Sequence, residues 1–228
     1  MFNLLSNING NHKIEKTNKK YKKYLTTILH LKPHKLICPN ATNGCRASCL
    51  NTSGFGCYSN TQKCRKNRTN LWLNNRNEFK KLLLLDLIKF YRICRKRKKI
   101  PAIRLNGTSD IAWEREFPEL FSIFHDFVFY DYTKSPKRYS KQYKLPHNYH
   151  LLFSRSEKNY RSCINFLRQN KNICVIFPKK KLPKKLWGYP VFNGDVHDLI
   201  FLQPKGIIGV SAKGRARHDK SGFVYPII

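Results

Sequence analysis

A chain of 228 residues with 41% hydrophobic and 13% aromatic side chains can bury a sizeable core, which excludes a disordered polymer. No apolar run approaches the roughly 20 residues of a membrane-spanning helix. The start, Met1-Phe2-Asn3-Leu4-Leu5, has neither the basic residues nor the apolar core of a secretory signal, so a soluble, cytoplasmic protein is expected. A net charge of +32 would strain a compact state unless a polyanion offset it, so nucleic acid is the expected partner. The competing explanation is a Lys- and Asn-rich surface drifted from an AT-rich genome, although drift does not explain why only 13 acids remain.

Residues 1–22 are polar and Lys/Asn-rich and read as a loose basic arm ahead of a single α/β domain over 23–228. Tyr24 to Leu31 is β-branched and apolar enough for a first strand. The stretch from Pro33 to Cys64 is loop-like, with Pro39, Gly44, Gly54 and Gly56. A long helix is predicted over Thr69 to Arg97, where apolar residues recur at three and four and cations crowd the end.

From Ile100 short apolar runs alternate with polar turns and helical stretches. Strands are predicted at Ala102–Leu105, Phe127–Tyr130, Tyr149–Phe153, Ile173–Phe177, Tyr189–Phe192 and Ile207–Val210, with helices within Trp113–His125 and from Glu157 to about Gln169. Pro190 is awkward for a central strand. This rhythm predicts right-handed βαβ units, a parallel sheet and a complete or partial (β/α) barrel, with a doubly wound open sheet as the competitor.

Few acids make their positions informative. Asp110, Asp131, Glu157, Asp195 and Asp198 each follow a predicted strand, the edge where ligand sites of parallel α/β folds are built. They could bind a cation or act as general base. Equally, Asp110 and Glu157 could cap the helices behind them, and Asp195 and Asp198 could belong to a simple turn. With His197 between them, the last two could also ligate a divalent ion. Asn106 and Thr108, beside Gly107, could contact a substrate or only bond their own loop.

Five of the eight cysteines lie between Cys38 and Cys64, and in a reducing compartment such clustering favours metal over disulfides. Cys38-x6-Cys45-x3-Cys49 follows the first strand, and Gly44 lets the backbone turn tightly. Three thiolates can hold an iron–sulfur cluster with one iron left open. Zinc is the alternative, with Cys57, Cys64, His34 or His30 as fourth ligand, and reduced metal-free thiols are the plain one. Cys94, Cys163 and Cys174 read as core residues. Arg46, Lys63, Arg65, Lys66 and Arg68 would meet phosphates or form a solvated face, and Phe55 and Tyr58 could stack on a base or pack.

The cysteine series, with Asn-Gly-Thr-Ser-Asp (106–110), Tyr-Asp-Tyr-Thr-Lys (130–134), Phe-Ser-Arg-Ser-Glu (153–157) and Asn-Gly-Asp-Val-His-Asp (193–198), resembles a family of uncharacterised bacteriophage proteins. That resemblance implies a protein working in the host-cell cytoplasm. More distantly, a three-cysteine loop after the first strand resembles radical S-adenosylmethionine enzymes, which implies cluster ligands at Cys38, Cys45 and Cys49. There Asn106-Gly107-Thr108 would stand where those enzymes receive the cofactor's amino group. The spacing is wider than that family's Cys-x3-Cys-x2-Cys, and Ser48 stands where an aromatic usually precedes the last cysteine. The leading expectation is therefore an iron–sulfur enzyme acting on nucleic acid or nucleotides. The alternatives are a divalent-metal nuclease or phosphotransferase using Asp110, Asp131, Asp195 and His197, and a zinc-stabilised binding module without catalysis.

Overall fold

The computed structural model describes residues 3–8, 12–178 and 182–226. Helix α1 (His12–Lys20) leads into β1 (Tyr24–Ile28); a long loop carrying α2 (Asn43–Ala47) follows, then α3 (Ser59–Asn74) and α4 (Arg76–Lys96). After these come β2 (Ile100–Arg104), α5 (Trp113–Glu116), α6 (Glu119–Ile123), β3 (Val128–Thr133), α7 (Pro136–Tyr139), β4 (Tyr149–Ser154), α8 (Tyr160–Arg168) and β5 (Ile173–Phe177). The short β6 (Lys185–Leu186), β7 (Tyr189–Asn193) and β8 (Ile207–Ser211) complete one sheet, ordered β1-β2-β3-β4-β5-β8-β7-β6.

Every pairing is parallel except β6 with β7. The α/β expectation holds, but the sheet does not close into a barrel, because β1 and β6 form its two ends. The sheet is open, and its order reverses past β5, where β8 lies between β5 and β7. β1 to β5 lie in chain order, so successive right-handed crossovers carry their helices to the same face. That face holds Leu25, Ile103, Phe129 and Phe153. It packs on Phe79, Leu83, Leu87 and Phe90 of α4, and on Phe166 and Leu167 of α8. Each such side chain contributes about 1.5–3 kcal/mol when fully buried. The other face, with Ala102, Tyr130, Leu152, Cys174 and Ile208, is covered by Leu199 and Ile200 beside the 3-10 turn Ile200–Leu202.

Two expectations are corrected. The single long helix is broken at Asn75, whose non-helical backbone ends α3 and whose side chain accepts from Glu78 N–H at 3.0 Å to start α4. The amino-terminal residues are not a loose arm. Leu4 is fully buried, Leu5 bridges Leu29, and the Asp86 carboxylate accepts from the Leu4 and Leu5 N–H groups at 2.6 and 3.2 Å. Residues 1, 2 and 9–11 of that expected arm lie outside the described residues. Pro190 is tolerated because its neighbour β6 is only two residues long. Among the described residues no helix is long and apolar enough to cross a membrane.

Candidate functional site

The cysteine loop lies at the carboxyl edge of the sheet and is braced from several strand ends. Thr108, past β2, donates its hydroxyl to Leu31 C=O at 2.5 Å, and Asp110 N–H donates to Ile37 C=O at 2.8 Å. Cys38 Sγ stands 3.8 Å from Thr108 C=O. Glu157, past β4, accepts from Thr42 Oγ1 at 2.8 Å and from Gly44 N–H at 2.9 Å. Thr42 in turn caps α2 by accepting from Cys45 N–H at 3.2 Å. Gly44 is required by space: a Cβ there would lie 2.8 Å from Phe223 Cβ and 2.9 Å from Glu157 Oε1.

Cys49 opens the 3-10 turn Leu50–Thr52, its sulfur accepting from Asn51 N–H at 3.4 Å. All three thiols are free and partly buried. Burial pushes Cys38 up to about 12, and the charges of Cys49 and Cys45 push the same way. Burial also raises Cys49; Cys45 adds to that, while Lys134 and Arg65 oppose it. Cys38, Cys45 and Cys49 share one loop braced by Glu157 and Thr108. They are not assembled into a finished ligand set: among the described residues, no three His, Cys, Asp or Glu side chains are arranged to hold a metal ion. Cys57 and Cys64 are exposed, whereas Cys94, Cys163 and Cys174 are buried in the core as expected.

The acids expected at strand ends are engaged rather than open, and Asp131 lies within β3 rather than past it. Asp110 accepts from Arg138 Nη1 at 2.9 Å and Lys134 N–H at 3.0 Å, and Arg138 also forks onto Glu114 with two 2.8 Å bonds. Asp131 is wholly buried and accepts from Asn106 N–H (2.6 Å), Asn106 Nδ2 (3.1 Å) and Tyr149 OH (2.8 Å). Burial still pushes its carboxyl up to about 7. Asp195 accepts from Lys213 Nζ at 2.9 Å and Ser211 N–H at 2.8 Å. Those two partners hold its carboxyl below the usual range against the opposing effect of burial.

Asp198 points instead to the sheet face that carries Ala102 and Tyr130, where Arg104 Nη1 reaches both its oxygens at 3.2 and 3.3 Å. The Arg104 guanidinium lies 4.4 Å from the Tyr132 ring centre. His197 is buried, edge-on to Tyr21 at 4.6 Å. Asp195, His197 and Asp198 therefore do not converge on one ion. Asn106, Gly107 and Thr108 serve the loop itself. The Asn106 side-chain oxygen accepts from Ser109 Oγ, Ile111 N–H and Trp113 Nε1, and Gly107 lies where a Cβ would come 2.5 Å from His30 Nδ1.

Sequence reasoning singled out neither Arg104 nor Arg138. A lone cation inside an apolar strand was the available signal for Arg104. His30 entered only as a possible zinc ligand, yet both its ring nitrogens are buried without a hydrogen-bond partner. Burial, then the Arg65, Arg104 and Arg68 charges, keep it neutral.

Of the cations expected to meet phosphates, Arg46, Lys63 and Lys66 are exposed. Arg65 is buried against Asn51, with bonds of 3.0 and 3.1 Å, and Arg68 is tied to Asn3 C=O at 2.8 Å, so both serve the fold. Phe55 and Tyr58 are 62% and 59% exposed with ring centres 5.8 Å apart. No Asp or Glu occurs between Glu15 and Glu78. A cavity of about 240 Å³ opens beside the Asp110 turn, bounded in part by Asn40, Trp72, Arg76, Arg115 and Lys137.

No curated protein and no solved structure matches the chain, so neither comparison supports the likeness to radical S-adenosylmethionine enzymes. The profile of a protein family described as Gene product 88 matches residues 3–227, in keeping with the resemblance to uncharacterised phage proteins, and the chain belongs to that family.

Proposed function

We propose that the carboxyl-edge mouth is a thiolate metal centre, an iron–sulfur cluster held by Cys38, Cys45 and Cys49, in an enzyme that acts on nucleic acid. The observation that carries this reading is that three free, partly buried thiols lie on one loop braced by Glu157 and Thr108. The donor chemistry fits: thiols driven up by burial become thiolates only when a cation stands among them, and the N–H bond to Cys49 Sγ is of the kind that tunes cluster sulfurs. Loading asks the Cys38, Cys45 and Cys49 side chains to turn toward one another, on a loop held by Glu157 and Thr108. A cluster bound through three cysteines supplies an open iron for a substrate or S-adenosylmethionine, together with electron transfer.

The single, consecutive winding of β1 to β5 is also what a partial (β/α) barrel would need. The chain's own residues bind and orient. Arg46, Lys63 and Lys66 supply phosphate contacts, and the exposed Phe55 and Tyr58 rings offer stacking faces to unpaired bases. Zinc is the second reading, favoured by the neutral His30 with its unpartnered nitrogens beside the loop. The carboxylate-metal nuclease reading draws less support, because each of its acids is already held by a cation or by several donors.

The test is iron, sulfide and zinc analysis with a visible spectrum on anaerobically prepared protein, alongside a Cys38→Ala/Cys45→Ala/Cys49→Ala variant. Broad visible absorbance with sulfide, lost in the variant, supports the cluster. Stoichiometric zinc without colour supports the second reading. Protein that takes up neither metal after reconstitution rejects both.

A further inference from the structure

The sheet has a second edge, where β1 and β2 begin, and it is built very differently. The turn from α1 to β1 lies beside the turn from α4 to β2, because Tyr24 pairs with Ile100. Ile100 N–H donates to Lys23 C=O at 2.9 Å and Lys99 Nζ donates to Lys22 C=O at 2.7 Å, locking the two turns together. Residues 19–23 and 95–99 carry nine Lys and Arg side chains and no carboxylate, all exposed except the half-buried Lys99. The acid that begins the neighbouring β2–β3 approach, Asp126, contacts His125 and Tyr91 instead. Like charges held this close repel one another, and a polyanion relieves that repulsion.

The backbone adds an independent observation. α4 ends in a Schellman motif: Lys99 N–H donates to Cys94 C=O at 2.9 Å and Lys98 N–H to Arg95 C=O at 3.0 Å. The left-handed position of that motif belongs to Lys98, at φ 52°. Glycine adopts this conformation without strain, whereas a side chain does not. A lysine there places another charge on the rim at the expense of the fold.

We propose that this amino-edge rim is a second nucleic-acid contact, one that grips the phosphate backbone at the edge of the sheet opposite the cysteine mouth. It shares with the reading of the mouth only the nature of the partner. Anionic membrane fits less well, because insertion needs exposed apolar side chains among the cations and these two turns offer none: Tyr21 is half-buried and packs on His197.

Salt-dependent binding of the intact protein to a labelled single-stranded and a labelled duplex oligonucleotide tests it. The Lys22→Gln/Lys23→Gln/Arg97→Gln/Lys98→Gly variant should lose about tenfold or more in affinity, and its log–log salt slope should fall by about three to four. Its thermal midpoint should not fall, since Lys98→Gly removes strain, so a folding defect cannot imitate the result. A Lys63→Gln/Lys66→Gln variant separates the mouth. If only the rim variant weakens binding, the rim stands and the mouth's phosphate contacts fall. Unchanged affinity and slope in the rim variant overturn the proposal, as does binding to phosphatidylserine vesicles without binding to either oligonucleotide.

Discussion

The two edges of this sheet handle charge in opposite ways. At the carboxyl edge the acids Asp110, Glu157 and Asp195 are each matched to a cation or a backbone donor, and two of them help hold the cysteine loop or the turn beside it. At the amino edge a dense set of exposed cations sits on two turns that carry no carboxylate. A charge matched inside the molecule stabilises the fold, and its removal is costly. An unmatched exposed charge contributes little to stability and is available to a partner.

The sharpest break in that contrast is predicted at Asp198, which lies deeper still. Asp198→Ala leaves Arg104 charged and buried without its acid, and should cost about 3–5 kcal/mol in denaturant unfolding. Neutralising an exposed rim cation such as Lys22 should change stability by less than about 0.5 kcal/mol. Equal losses at the two sites would remove the distinction.

Asp131 comes next and gives a pH signature. Its native pKa is about 7 against an ordinary value of 3.8, so the folded protein binds that proton more tightly than the unfolded chain does. Its contribution to stability is complete below about pH 4 and drains away as pH rises toward about 7. The difference in unfolding free energy between wild type and Asp131→Asn should therefore shrink across that interval, by about 1.4 kcal/mol for each pH unit of the shift. A difference that stays flat from pH 4 to 7 sinks the assignment.

Gly44→Ala should cost about 1–3 kcal/mol, because Phe223 and Glu157 leave no room for the methyl group. The same variant should let iodoacetamide reach Cys45 and Cys49 faster, while Cys57 and Cys64, already exposed, react at an unchanged rate. Smallest is Lys98→Gly, predicted to stabilise by about 1 kcal/mol in thermal unfolding while weakening nucleic-acid binding. Those opposite signs would mark the rim as kept for contact rather than for folding.

Much of the architecture was legible along the chain. The runs at Tyr149–Phe153, Ile173–Phe177 and Ile207–Val210 are apolar and bounded by turn residues, and each became a strand of the parallel sheet. The two-residue β6 carries no pattern of its own and could not be read. Nor could the break at Asn75, since the apolar spacing continues across it and only the cap decides.

The candidate site divides in the same way. Cysteine spacing and the acids that follow apolar runs are local features, and from those runs the sequence by itself determined a mostly parallel α/β sheet. What those acids do depended on partners far away in the chain: Arg138 for Asp110, Arg104 for Asp198, Gly44 for Glu157. Hydrogen bonds and ion pairs act over a few ångströms of space whatever the separation in sequence. So only the tertiary structure could decide which charges are matched internally and which are left facing solvent.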